Sequence, residues 1–151
     1  MMNRKPELDT NTRSTIDAIL KESGDRYSAG DLKGSLDAAL KAWSLIPDPK
    51  NRWDYYPQSL SAGFVQDYTD LNDKANVEKW VAIMAEMYDD PNHEDHLVLM
   101  TEGEAMFKLG DMQRAYYIFA RIYELYGSKG FAGEQLAYLE FYQKEKVARG
   151  E

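Results

Sequence analysis

Residues 96–127 read HLVLMTEGEAMFKLGDMQRAYYIFARIYELYG, and the fold follows from how the apolar residues recur within them. Leu99, Met106 and Leu109 belong to one stripe, and Ile118, Phe119, Ile122 and Leu125 to a second. Such spacing puts side chains on one face of an α-helix. Between the stripes stands Gly110-Asp111. A glycine there can close the first helix in a left-handed conformation while the aspartate caps the next. A connection this short forces the two helices to lie antiparallel as a hairpin.

The pattern extends outward in both directions. Leu36, Ala39, Leu40 and Trp43 form a further stripe, as do Val77, Trp80, Val81, Met84 and Met87. Gly30-Asp31 repeats the hairpin signal. All five prolines (Pro6, Pro47, Pro49, Pro57 and Pro91) fall at breaks between periodic runs, where helices tolerate them. No period-2 strand pattern stands out. The spacing predicts seven helices, over roughly 12–28, 31–46, 56–71, 75–89, 94–109, 111–127 and 131–147. Ser14 with Asp17, and Asn92 with Asp95, have capping-box spacing. The expectation is all-α: three hairpins plus a C-terminal capping helix, in one domain over 12–147. Residues 1–11 read as a flexible N-terminus and 148–151 as a tail.

Length and composition fit one globular domain with a real core: 151 residues, 44% hydrophobic and 13% aromatic. Zero cysteines exclude a disulfide scaffold and a thiolate zinc site. The first fifteen residues lack the apolar core of a signal peptide, and no apolar run is long enough for a membrane span. The expected location is therefore cytoplasmic. The net charge of −8 is unevenly spread. Residues 1–50 carry eight basic and eight acidic side chains, and residues 111–151 six of each. The whole excess lies in 51–110, with four basic against twelve acidic. A field confined to one stretch repels nucleic acid and anionic lipid and favours a basic protein. It also suits a merely solvated acidic face.

The run from His96 to Gly127 resembles the tetratricopeptide repeat, with Leu99, Gly103, Met106, Gly110-Asp111, Ala115 and Phe119 at its characteristic positions. The resemblance implies a right-handed α-α superhelix. Small Gly103 and Ala115 would let two backbones approach, with bulky residues filling the groove beside them. Ile122 and Gly127 depart from the repeat, which prefers alanine and proline there. A first copy keeps Gly30-Asp31, Ala39, Ala42 and Pro47, and a looser middle copy keeps Gly63, Ala82, Ala85 and Pro91. A narrower likeness lies in Ala42-Trp43, Pro47, Pro49-Lys50 and Trp53. Together with Pro91-Asn92, Glu102-Gly103-Glu104, Tyr123 to Gly127 and Phe131, these residues resemble small bacterial TPR-like proteins encoded beside Rhs and other polymorphic toxins. That resemblance implies an immunity protein.

Candidate site residues follow from both lines of reading. Trp53, Tyr55 and Tyr56 sit in or beside a proline-stiffened linker, and Tyr68 offers a similar amphipathic ring. More simply, Trp43 and Trp53 pack across the hairpin junction, with Pro47 and Pro49 ending one helix and orienting the next. Tyr116, Tyr117, Tyr123 and Tyr126 mostly follow a buried stripe. By position in the repeat, the concave face would carry Leu97, Met100, Glu104, Phe107 and Lys108, with Gln66, Asp67 and Asp70 from the middle copy. His93-Glu94-Asp95-His96 is not a metal-protease motif, and Asp95 serves a helix start there more simply. No glycine-rich phosphate loop, nucleophile elbow or Cys/His pair occurs. The chain thus reads as a binding protein without catalytic residues, metal or cofactor, and as a monomer when free. The first expectation is an immunity protein that occludes a basic secreted toxin domain of the Rhs or type VI kind. The alternative is a general TPR-like adaptor or secretion chaperone that takes a peptide or effector.

Overall fold

The computed structural model describes residues 4–151, and all regular structure in them is helical. Seven α-helices follow in order: α1 (Thr10–Ser28), α2 (Leu32–Ser44), α3 (Tyr56–Asp70), α4 (Lys74–Met87), α5 (His96–Lys108), α6 (Met112–Tyr126) and α7 (Leu136–Ala148). Short 3-10 turns lie at Lys50–Arg52, Gly127–Gly130 and Gly133–Gln135. Among the described residues no helix is long and apolar enough to cross a membrane.

One local device makes all three hairpins. Asp31, Asp73 and Asp111 each follow a left-handed residue: Gly30 (φ 82°), Asn72 (φ 56°) and Gly110 (φ 83°). The backbone N–H of each aspartate donates to a carbonyl of the helix just ended, on Arg26, Tyr68 and Met106, at 2.9 Å in every case. Its carboxylate accepts from the first turn of the next helix, at the N–H of Gly34, Asn76 and Arg114. Orphan groups of both helix ends are satisfied at once. The middle hairpin escapes a glycine search because asparagine, which tolerates the left-handed region, replaces glycine.

Capping at two other helix starts differs from the expected boxes. Asp9, not Ser14, caps α1 by accepting from the N–H of Thr12 at 2.8 Å, so Ser14 lies inside the helix. Asp95 itself caps α5 through the N–H of Val98, in place of Asn92. The last helix also begins later than its expected start at 131. Gly127 and Gly133 are left-handed (φ 66° and 58°), and Gly130 lies so close to Ile122 that a Cβ there would stand 2.8 Å from its Cγ2. The chain therefore crosses 127–135 as two tight turns with Phe131 buried between them.

Packing pairs α1 with α2, α3 with α4 and α5 with α6; α3 also lies directly on α5, and α6 carries α7. At Gly103 α5 crosses α6 closely: a Cβ there would meet Phe119 Cε1 at 2.6 Å. Between the first two hairpins, Trp43 meets Trp80 edge-on (5.1 Å) and Phe64 (6.1 Å). Trp43 thus pairs with these two rings instead of Trp53. At the other end Phe119 stacks on Tyr138 at 5.0 Å, and Phe107 meets Tyr138 and Phe141 edge-on. Of the four tyrosines expected on a buried stripe, Tyr116 is buried, while Tyr117, Tyr123 and Tyr126 are exposed. Residues 4–9, expected as part of a flexible arm, pack onto the domain: Leu8 is buried, and Lys5 Nζ donates to Asn51 O (2.6 Å) and pairs with Asp89 (2.7 Å).

Candidate functional site

The acidic excess of residues 51–110 divides once the side chains are placed. Asp73 and Asp95 are helix caps. Asp90 is buried and accepts from the Glu94 N–H at 2.8 Å. Asp89 pairs with Lys5, and Glu94 lies 3.8 Å from Arg121. Arg114 binds both Glu78 and, at 3.0 Å, Glu102, tying α6 to α4 and α5. Among the described residues, Asp54, Asp67, Asp70, Glu86 and Glu104 have no ion-pair partner within 4.0 Å. Three of those five lie on α3 and α5: Asp70 and Glu104 line one hollow together, while Asp67 borders a separate small cleft.

The hollow that Asp70 and Glu104 share is one half of an open groove. The other half, of about 530 Å³, is lined by Tyr55, Gln58, Ser59, Ala62, Gly63 and Gln66, with Tyr88 and Leu97 opposite. The shared half, of about 260 Å³, is lined by Gln66, Thr69 and Asp70 from α3 and by Thr101, Glu104, Ala105 and Lys108 from α5. Gln66 borders both halves, which places them end to end along α3 and α5. The groove's first end is aromatic and apolar: Tyr55 is 58% exposed and Leu97 50%. Its second end is polar, and Lys108 is the one cation lining it.

Both ends break a local rule. Tyr55 holds φ 71° and ψ −65°, and the Tyr56 N–H donates across it to Asp54 O at 2.9 Å, which makes a γ-turn. That conformation is strained for a residue with a Cβ, at a cost of about 1–3 kcal/mol. Its own N–H is held by Gln58 Oε1 at 3.1 Å. Pro57 in the first turn sets where α3 begins. At the far end, Asp70 borders the groove and Asp67 the opposite side of the last turn of α3, a turn that contains no basic residue. The helix macrodipole is negative there, so two carboxylates cost stability. Burial, with the charge of Asp70 adding, pushes Asp67 up to about 6. Glu104 is also raised, by burial first and Glu134 to a smaller extent, with Lys108 opposing. Local departures of this kind concentrate at functional sites.

The structure places the expected contact residues unequally. Tyr55, Gln66, Asp70, Leu97, Glu104 and Lys108 all line the groove. Asp67 turns to the other side of α3, where it borders a small cleft with Tyr27, Leu32 and Ser35. Met100 is 2% exposed, so it belongs to the core and not to a contact face. Phe107 is covered by α7 through Tyr138 and Phe141. α5 buries eight of its thirteen residues because α3, α4 and α6 pack on it, which takes Met100 into the core, and α7 adds the cover over Phe107.

Trp53 and Tyr56 are likewise engaged by the fold. Trp53 Nε1 donates to Pro47 O at 2.9 Å, which braces the linker. Tyr56 Oη donates to Asp17 Oδ1 at 2.7 Å; burial, then this bond, pushes its hydroxyl up to about 12. Tyr68 is half-buried against the core. Groove residues missed from the sequence include Gln58, Ser59, Ala62, Thr101 and Tyr88. The first three share the face of α3 marked by Gln66, so extending that face one and two turns back finds them.

Among the described residues no three His, Cys, Asp or Glu side chains are placed to hold a metal ion. His96 Nε2 donates to Gly130 O at 2.6 Å and its ring meets Tyr126 edge-on, which pins the 127–135 turns to the start of α5. Comparison of the chain with protein-family models, with curated proteins and with solved structures finds no match.

Proposed function

We propose that this chain is a protein-binding module that engages its partner along the α3–α5 groove. One observation carries the reading. Seven of the twelve acidic residues in 51–110 are used as caps, buried acceptors or ion pairs, and two of the remaining five, Asp70 and Glu104, line one trough from its two walls. Unpaired carboxylates beside exposed Tyr55 and Leu97 suit a basic partner with an apolar anchor. The helix order and the direct packing of α3 on α5 support a TPR-like right-handed superhelix, in which first helices line the inner face.

Within that class the partner is a secreted toxin domain, and the protein is its immunity protein. This rests on the likeness around Ala42-Trp43, Pro47, Pro49-Lys50 and Trp53 to TPR-like neighbours of Rhs-type toxins. A nuclease toxin must hold phosphates and is often basic, which complements the trough. Neutralisation by occlusion needs only tight, specific binding. The test is co-expression with the toxin domain encoded beside this gene, scored by cell survival and by co-purification. Survival that requires this chain, and that is lost with an Asp70→Lys, Glu104→Lys pair, is the expected result. Equal killing with and without the chain refutes the immunity reading.

A further inference from the structure

The groove's two ends differ in chemistry, and their separation is set by helix rise. Ala62 and Asp70 are eight residues apart on α3, and Leu97 and Glu104 seven apart on α5. At 1.5 Å per residue these offsets agree on about 11 Å between the ends. Between them stands exposed Gln66, whose amide offers both donors and acceptors, and Gln58 and Ser59 lie beyond Ala62 at the apolar end. A helix laid in the trough would satisfy its own backbone and leave these groups unused. An extended segment brings unpaired N–H and C=O groups that they can meet.

We propose, resting on the protein-binding reading above, that the groove takes an extended segment of its partner through two anchors. An apolar side chain lies against Leu97 and Tyr88, and an arginine four residues further on reaches Asp70 and Glu104. Residues i and i+4 of an extended chain point the same way and stand about 13 Å apart, which matches the offset. Arginine fits better than lysine because its planar fork offers five donors, enough to address carboxylates on both walls. A second copy of this chain is a poor occupant, since its net charge of −8 repels the same acidic end.

The probe is N-acetyl-Leu-Ser-Gly-Ser-Arg-amide, titrated into the full-length ¹⁵N-labelled protein at low salt and followed by backbone amide shifts. Shifts confined to α3, Tyr88 and α5 are expected, with affinity falling about tenfold when glutamine replaces the peptide's arginine. In an Asp70→Asn, Glu104→Gln variant, the arginine and glutamine peptides should bind alike. Equal binding of both peptides to the wild type, shifts outside the groove, or no shifts at all would overturn the two-anchor reading. The broader reading fails separately. If the charge-reversed groove pair still captures the folded toxin domain at full strength, the partner docks elsewhere, whatever the peptide does.

Discussion

Two glycines on neighbouring helices should respond to the same substitution with opposite sign. Replacing a helical glycine by alanine reduces the backbone entropy lost on folding and gains up to about 1 kcal/mol where the site has room. Gly63 in α3 has room, since a Cβ there would find nothing within 4 Å. Gly63→Ala should therefore stabilise by about 0.5–1 kcal/mol. At Gly103 a Cβ would lie 2.6 Å from Phe119 Cε1, 3.1 Å from Cδ1 and 3.2 Å from Ile118 Cγ2. Carbon atoms normally rest at about 3.5–4.0 Å, so the ring must move by roughly 1 Å. It has nowhere to go: Phe119 is fully buried, stacked on Tyr138 and edged by Phe131 and Phe141. Overpacking costs about 1–3 kcal/mol, and its upper half applies to a ring confined on several sides. Set against the propensity gain, Gly103→Ala should destabilise by about 1–2 kcal/mol, and Gly103→Leu by several.

Urea unfolding followed by far-UV circular dichroism reads both values, with the slope unchanged if only the native state is affected. Phe119→Leu adds a discriminating control. Alone it leaves a void and destabilises, whereas in the Gly103→Ala background it makes room for the methyl group. The two changes should therefore couple by about 1 kcal/mol or more. A Gly103→Ala protein as stable as wild type, or additive behaviour in the cycle, would refute close packing at this crossing.

Asp67→Asn tests the desolvated carboxylate: burial, then Asp70, holds Asp67 near 6 against an ordinary value of 3.8. The folded state thus binds the proton more tightly, so Asp67 lowers stability as pH rises through that window. The variant should gain about 1 kcal/mol near neutral pH, a figure discounted for the solvent that still screens the half-buried group, and nothing at about pH 4. Equal gains at both pH values in urea melts would show a cause other than titration. Arg114→Leu should cost about 1–3 kcal/mol, because Glu102, with 11% of its side chain exposed, loses its counter-ion. Glu78→Gln, at the more exposed arm of the same triad, should stay within about 0.5 kcal/mol by the same melts. Tyr55→Gly removes strain and a ring contact together and should leave thermal stability within about 1 kcal/mol, while Tyr55→Val, β-branched in a left-handed position, should lower it further. The reverse order would argue against strain in that turn.

The sequence alone determined the helices and their pairing, because those depend on local terms. A 3.6-residue apolar period, prolines at breaks and a Gly-Asp pair act within a few residues of themselves, so Gly30-Asp31 and Gly110-Asp111 mark their hairpins without tertiary help. Half of the groove was legible for the same reason, since Gln66 and Asp70, or Leu97, Glu104 and Lys108, share a face once a helix is granted. What only the tertiary structure decided was which faces remain open. Met100 and Phe107 share the helix of Leu97 and Glu104, but three-sided packing on α5 and the cover of α7 take them from the surface. The same holds for charge. Twelve carboxylates look alike in one dimension, and only long-range partners such as Lys5 for Asp89 or Arg114 for Glu102 separate those that hold the fold from those left without an ion pair.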